Sequence, residues 1–300
     1  MSSAPDRLLR RLEWRLGRRL DGRLQGNYRT AWHGAGIDFT DLRLYAAEDD
    51  VRHIDWNVTA RLDEPYVRQY TEDRELTAWL VIDRSASMRF GRPTASGGAG
   101  KESTATELAV SIARLISRGG NRVGAILYDN AGHQIIPPRG GRDQVLRITR
   151  ELLRPAPPGK PGKTTDLGAM LHLAATTTSR RRSLIFVMSD FIGEQGWDRP
   201  LARLTHRHEV VVIRVVDPAE VELPDLGVIL VEDAETGEQL LVDTSDPLLR
   251  SRLADQAGAR ETELADGMRR AGVSAQRITT DQDLLAVLID MVQRSGRGRR

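Results

Sequence analysis

Three hundred residues, 40% hydrophobic and 29% charged, describe a soluble globular chain long enough to bury at least one full core. The absence of cysteine excludes thiol catalysis, disulfides and sulfur-ligated zinc or iron–sulfur centres. A formal net charge of +2 gives no mandate for a nucleic-acid partner. No run approaches the roughly 18–20 apolar residues of a membrane span, and no secretory apolar region opens the chain, so the expected compartment is the cytoplasm. The basic side chains are almost all arginine; Lys101, Lys160 and Lys163 are the only lysines, so any role that needs a lysine has three candidates.

Residues 6–24 carry Leu8, Leu9, Leu12, Leu16 and Leu20 at helical spacing with arginines between them, which predicts a basic amphipathic helix. It is read as docked on its own protein, with a partner groove or an anionic membrane surface as the alternatives. From Gly34 to Glu75 the chain alternates arginine with aspartate and glutamate and is studded with aromatics. The alternation at 51–56 and at 66–70 predicts short strands joined by a turn at Asp63-Glu64-Pro65. Arg–carboxylate pairs that hold irregular loops are the plain reading of this stretch. A recognition surface is the sharper one, carried by Asp41, Arg43, Asp50, Arg52, Asp55, Trp56 and Arg61, because arginine and aromatics are enriched at binding hot spots.

The segments Gly34-Ala35-Gly36-Ile37-Asp38-Phe39-Thr40-Asp41-Leu42-Arg43-Leu44-Tyr45, Asp49-Asp50-Val51-Arg52-His53-Ile54-Asp55-Trp56 and Ala60-Arg61 together resemble the signature of the bacterial family called domain of unknown function 58. The resemblance covers roughly residues 30 to 195. It implies that a von Willebrand A-like half follows, and that the chain acts beside a MoxR-type AAA+ ATPase in assembling or activating other protein complexes.

Further along, Trp79–Ile82 reads as a buried strand and the 91–100 stretch as a mobile insert of small residues. Helices are expected at 104–118, 143–153, 197–205, 247–271 and 281–292, the last with Asp281 as its cap. Strands are expected at 122–128, 134–136, 184–189, 210–216 and 273–278, with a hairpin at 227–243 and a frayed tail at 295–300. Such βα alternation predicts a doubly wound, mostly parallel α/β sheet with helices on both faces. The expected domains are one α/β domain from 75 to 294 and an N-terminal extension, residues 1–74, packed on it.

Chemistry concentrates at the strand ends. Asp83-Arg84-Ser85-Ala86-Ser87 follows a buried strand, where parallel sheets gather ligands, and offers one carboxylate and two hydroxyls at alternate positions. Thr165 stands at or just before a predicted helix start, and Asp190 ends a second apolar strand. Magnesium takes about six oxygens at roughly 2.0–2.1 Å, with only one or two carboxylates among them. Asp83, Ser85, Ser87, Thr165 and Asp190 match, residue by residue, and therefore resemble, the metal-ion-dependent adhesion site of von Willebrand factor type A domains. That resemblance implies a bound magnesium, manganese or calcium ion. Protein ligands alone leave it short of six, so it implies a place for water or for an acidic side chain of a protein partner.

Two other chemistries compete. A nucleotide-binding P-loop at Gly162-Lys163-Thr164 has Pro157 where its first glycine belongs, and Pro158 and Pro161 lack backbone donors. A magnesium-dependent phosphohydrolase with Asp83 as nucleophile and Asp190 on the metal lacks a proton donor, since Ser85 stands where a second aspartate is needed. The six histidines show no zinc-protease spacing and no Gly-x-Ser-x-Gly elbow is present. The expectation is a binding adaptor without catalytic residues.

Overall fold

The computed structural model describes residues 36–46, 49–73, 76–89, 100–155, 164–178, 181–193, 195–220, 225–232 and 238–297. The amphipathic segment 6–24 and the 91–99 part of the small-residue insert lie outside these residues, as do 298–300 of the tail. The chain divides into two compact units, one of them Trp32–Leu76 and the other containing everything from Thr77 onward.

In the smaller unit, β1 (Gly36–Leu44) pairs antiparallel with β2 (Tyr66–Asp73), and α1 (Trp56–Leu62) lies between them in sequence. The expected strand at 51–56 is not formed. Val51–His53 is a 3-10 turn in which Asp50 accepts the Arg52 N–H, Ile54 makes one bridge to Val67, and Asp55 caps α1 by accepting the N–H groups of Asn57 and Val58. Val51, His53 and Asp55 alternate with Arg52, Ile54 and Trp56 as in a strand, but the Asp50 and Asp55 carboxylates satisfy nearby backbone N–H groups and turn the chain instead. The turn at Asp63 is present, with Asp63 in the left-handed conformation at φ 58° as the C-cap of α1.

The larger unit is built on a six-stranded sheet. Its strands are β3 (Thr77–Asp83), β4 (Arg122–Tyr128), β5 (His133–Arg139), β6 (Leu184–Ser189), β7 (Glu209–Val216) and β10 (Ala275–Thr279), in the spatial order β10-β7-β6-β3-β4-β5. All neighbours are parallel except β5, which runs antiparallel to β4 at one edge. A separate hairpin joins β8 (Val228–Glu232) to β9 (Gln239–Asp243). The helices are α2 (Lys101–Arg118), α3 (Arg142–Leu152), α4 (Leu167–Thr177), α5 (Asp198–Arg207), α6 (Pro247–Arg270) and α7 (Leu284–Arg297). α2 packs with α3 and α7, whereas α4 packs with α5 and α5 with α6.

The central strands β3 and β6 are buried along almost their whole length, as parallel strands covered on both faces must be, and so read as continuous apolar runs. Trp79 and Val81 of β3, Ile185 and Val187 of β6 and Val212 of β7 join Leu167, Met170 and Leu171 of α4 and Leu201 and Leu204 of α5 in one core layer. Strand alternation sends Leu80, Ile82, Phe186 and Met188, all fully or nearly fully buried, to the opposite layer.

Three elements depart from their expected bounds by three residues or more. α2 begins at Lys101, one turn before the 104 that the apolar spacing predicts. β5 continues through Pro137-Pro138, which an edge strand tolerates. α7 begins at Leu284 and runs to Arg297, through most of the expected tail, while the Asp281 carboxylate accepts the Thr279 hydroxyl instead of capping the helix.

Candidate functional site

β3 and β6 are neighbours in the middle of the sheet, and their onward connections leave in opposite directions: β3 leads to β4 on one side and β6 to β7 on the other. The carboxyl ends of such a pair open onto a crevice, the topological switch point of a doubly wound sheet. Asp83 closes β3 and Asp190 follows the last residue of β6, so both carboxylates stand at that crevice.

The first loop is curled by its own polar groups. The Arg84 N–H donates to the Tyr128 carbonyl at 2.8 Å, extending the ladder by one residue. The Ser85 N–H then turns back to Asp83 Oδ1 at 2.9 Å, and the Ser85 and Ser87 hydroxyl oxygens lie 2.9 Å apart. Ser87 opens a 3-10 turn, Ser87–Arg89. All three side chains are buried, as the alternate spacing of Asp83, Ser85 and Ser87 requires if the loop curls inward.

The second strand end is tied to the first. The Ser189 hydroxyl donates to Asp83 Oδ2 at 2.6 Å and accepts the Phe191 N–H at 2.9 Å. Asp190 Oδ1 accepts the Ile192 N–H at 2.9 Å, and Arg214 Nε donates to the Asp190 carbonyl at 3.2 Å. Phe191 takes a left-handed conformation at φ 57° and packs edge-on against Trp197, with ring centroids 5.0 Å apart, which fixes the chain as it leaves the site.

Thr165 is buried and immediately precedes Asp166, the N-cap of α4, whose carboxylate accepts the Ala169 N–H. A Cβ placed on Gly193 would meet the Thr165 carbonyl oxygen at 3.2 Å, and Gly193 has φ 146°, so glycine is what lets the 190–193 and 164–166 loops lie against each other. Tyr128 reports on the first and third segments together: burial, then the charges of Asp166, Asp129 and Asp83, push its hydroxyl above the usual tyrosine range. The five predicted residues thus sit on three loops at one edge of the sheet.

Burial dominates the electrostatics of Asp83. Burial, and next the charge of Asp190, push the Asp83 carboxyl up to about 7, against the opposing hydrogen bonds from Ser189 and Ser85. The donor set is entirely oxygen, two carboxylates and three hydroxyls, which suits a hard divalent cation and not a thiophilic one. Among the described residues no three His, Asp or Glu side chains gather as a ready-made metal cluster, so an ion here would depend on the hydroxyls.

Five residues that shape the site are absent from the sequence reading of it. Ser189 bridges the two strand ends, and Arg214, ion-paired with Glu261, steadies the Asp190 carbonyl. Lys101, the first residue of α2 and fully buried, donates to Asp190 Oδ2 at 2.7 Å and also pairs with Glu220 of the Pro218–Glu220 turn after β7. The one available signal is that Lys101 is a lysine in a chain whose cations are otherwise nearly all arginine.

The residues predicted for recognition in the smaller unit divide by role. Asp50 and Asp55 are spent on caps, and Arg43 forms a two-pronged pair with Asp49 at 2.7 and 2.5 Å. Asp41 stands opposite Gln69 in the β1–β2 ladder, beside a register shift. Arg52 and Arg61 are exposed, and Trp56 leaves 68% of its surface open to solvent.

This chain is 39% identical over 290 residues to an uncharacterized protein of Mycobacterium tuberculosis, covering 97% of this chain and 89% of that one. Similar solved structures include the conserved hypothetical protein BatB from Bacteroides thetaiotaomicron, at 13% identity and a TM-score of 0.48, covering 74% of this chain and 99% of BatB. They also include a von Willebrand factor type A protein from Catenulispora acidiphila, at 12% identity and a TM-score of 0.41, covering 75% of this chain and 43% of that one. A family model described as "Protein of unknown function DUF58" matches residues 41–263, and the chain belongs to that family.

Proposed function

We propose that this protein is a non-enzymatic interaction module that captures a protein partner through a divalent metal ion. Asp83, Ser85 and Ser87 would hold the ion from the first loop, Thr165 from the second and Asp190 directly or through water. The ion supplies a positive centre with room for one outside oxygen, and the partner supplies an aspartate or glutamate to fill it. Magnesium or manganese suits this donor set, with calcium as the larger alternative.

The observation that carries the reading is the arrangement around Asp83. Its carboxylate is buried and raised in pKa, has Ser85 and Ser189 as hydrogen-bond donors, and has the Asp190 charge close by. Lys101 pairs with Asp190, whereas Asp83 is buried with hydrogen-bond donors and no cationic partner among the described residues, an arrangement that calls for a cation. The family resemblance adds a specific candidate partner, a MoxR-type AAA+ ATPase or its client. No described helix is long and apolar enough to cross a membrane. We place the protein in the cytoplasm on its composition and the character of its sequence.

Magnesium-dependent phosphoester hydrolysis from Asp83 has one observation in its favour, the buried ammonium of Lys101 near the second carboxylate. Against it, residue 85 offers a hydroxyl where such chemistry needs a general acid. Affinity capture from native extract decides between the two. A partner retained with magnesium, released by chelator and lost in Asp83→Ala supports the adaptor. Phosphoester or ATP turnover that disappears with the same substitution supports the enzyme.

A further inference from the structure

The Lys101 ammonium is fully enclosed and shared between two carboxylates that come from different strand ends, Asp190 after β6 and Glu220 after β7. Asp190 is itself almost wholly buried, and where Asp83 has only hydrogen-bond donors, Asp190 has a cation: Lys101 at Oδ2, beside the Ile192 N–H at Oδ1. A divalent ion drawn to Asp83 therefore meets in Asp190 a neighbour already neutralised by a covalently tethered cation, and repelling charges in a buried site are felt strongly.

We infer that Lys101 is an internal cation of this site, which keeps Asp190 and Glu220 off the metal and leaves Asp83 as its one direct carboxylate. The inference rests on the metal-dependent reading above and says how that site is tuned. With a single direct carboxylate, the ion retains more positive charge for an incoming acidic side chain and more positions for water. Lys101 thus exchanges tightness of metal binding for strength of partner capture. It acts through Asp190 and Glu220, and so is a positioning residue. The reach is a consequence of the fold: Lys101 begins α2, and its long side chain spans the ends of β6 and β7, the two strands that follow β3 in the sheet on one side.

The test is titration of the metal-free full-length protein with Mn2+, following affinity by calorimetry and the number of ion-bound waters by water-proton relaxation. In Lys101→Met the two carboxylates lose their counter-ion. Mn2+ affinity is expected to rise tenfold or more and at least one bound water to be lost as Asp190 joins the ion. Glu220→Gln acts oppositely, because the ammonium then bears on Asp190 alone; affinity is expected to fall two- to fivefold. Glu220 is partly exposed, so this variant tests the inference even where Lys101→Met does not fold. Wild-type binding with both variants unchanged, or weaker binding in Lys101→Met, overturns the role given to Lys101 and leaves the metal site standing. A wild-type chain with no Mn2+ affinity overturns the functional reading, and this inference with it.

Discussion

The Ser189 hydroxyl lies 2.6 Å from Asp83 Oδ2 and so links the ends of the two central strands through a single buried hydrogen bond. The same oxygen accepts the Phe191 N–H, which turns the chain away after Asp190. Ser189→Ala removes a donor from a buried carboxylate and an acceptor from a buried N–H, a loss of about 1–3 kcal/mol for each group left unsatisfied. Urea denaturation should show a lower midpoint with an unchanged slope. Metal affinity should fall as well, since Asp83 is no longer held in place.

Asp83→Asn keeps the shape of the side chain and removes the charge that Asp190 opposes. The metal-free variant should melt at a higher temperature than the metal-free wild type at pH 8, where the wild-type carboxylate is ionised in spite of its raised pKa. Addition of Mn2+ should raise the melting temperature of the wild type and leave that of the variant unmoved. Equal stabilisation of both by Mn2+ would place the ion elsewhere.

His208 gives the larger unit a pH dependence of its own. Its Nδ1 accepts the Ser183 N–H at 3.2 Å and its Nε2 lies 3.3 Å from the Thr178 hydroxyl, so the neutral ring is the form that fits. Burial, then the charges of Arg207 and Arg182, hold its pKa below the ordinary histidine value. The unfolded chain therefore takes up a proton first: the contribution is complete above about pH 6.5 and is lost as pH falls through the lower folded value. Asp83 works in the opposite sense, because its raised pKa favours the folded state as acid is added. The informative quantity is the difference between wild type and His208→Gln in thermal melts from pH 8 to pH 5, which should shrink on acidification.

In the smaller unit, Asp55 is a helix cap and its neighbour Trp56 is exposed, so the two can be tested separately. Asp55→Ala removes the cap of α1 and should cost about 1–2 kcal/mol. Trp56→Ala deletes a side chain that is largely open to solvent and should alter stability by less than about 0.5 kcal/mol. Retained partner capture in Trp56→Ala would remove this residue from the recognition surface.

The sheet and the Asp83 loop were legible because their signals are local. β3, β6 and β7 are runs of buried apolar residues, and the alternate polar residues after Ile82 reveal a loop that curls. The turn and cap at 50–55 are hidden because residues 51–56 alternate as a strand would, while Asp50 and Asp55 satisfy backbone donors that a strand would leave to a neighbour. What the sequence could not display is contact at a distance. Lys101 meets Asp190 across 89 residues and Glu220 across 119, and no periodicity links them. In sequence Ser189 is one more strand residue; only the neighbouring strand places Asp83 beside it.

The most direct test of the central claim is calorimetric titration of chelator-treated full-length protein with Mn2+, wild type beside Asp83→Ala, at pH 7.5. The account predicts one ion bound per wild-type chain and none by the variant, with both proteins folded by circular dichroism. Equal binding by the two proteins, or none by either, would contradict it.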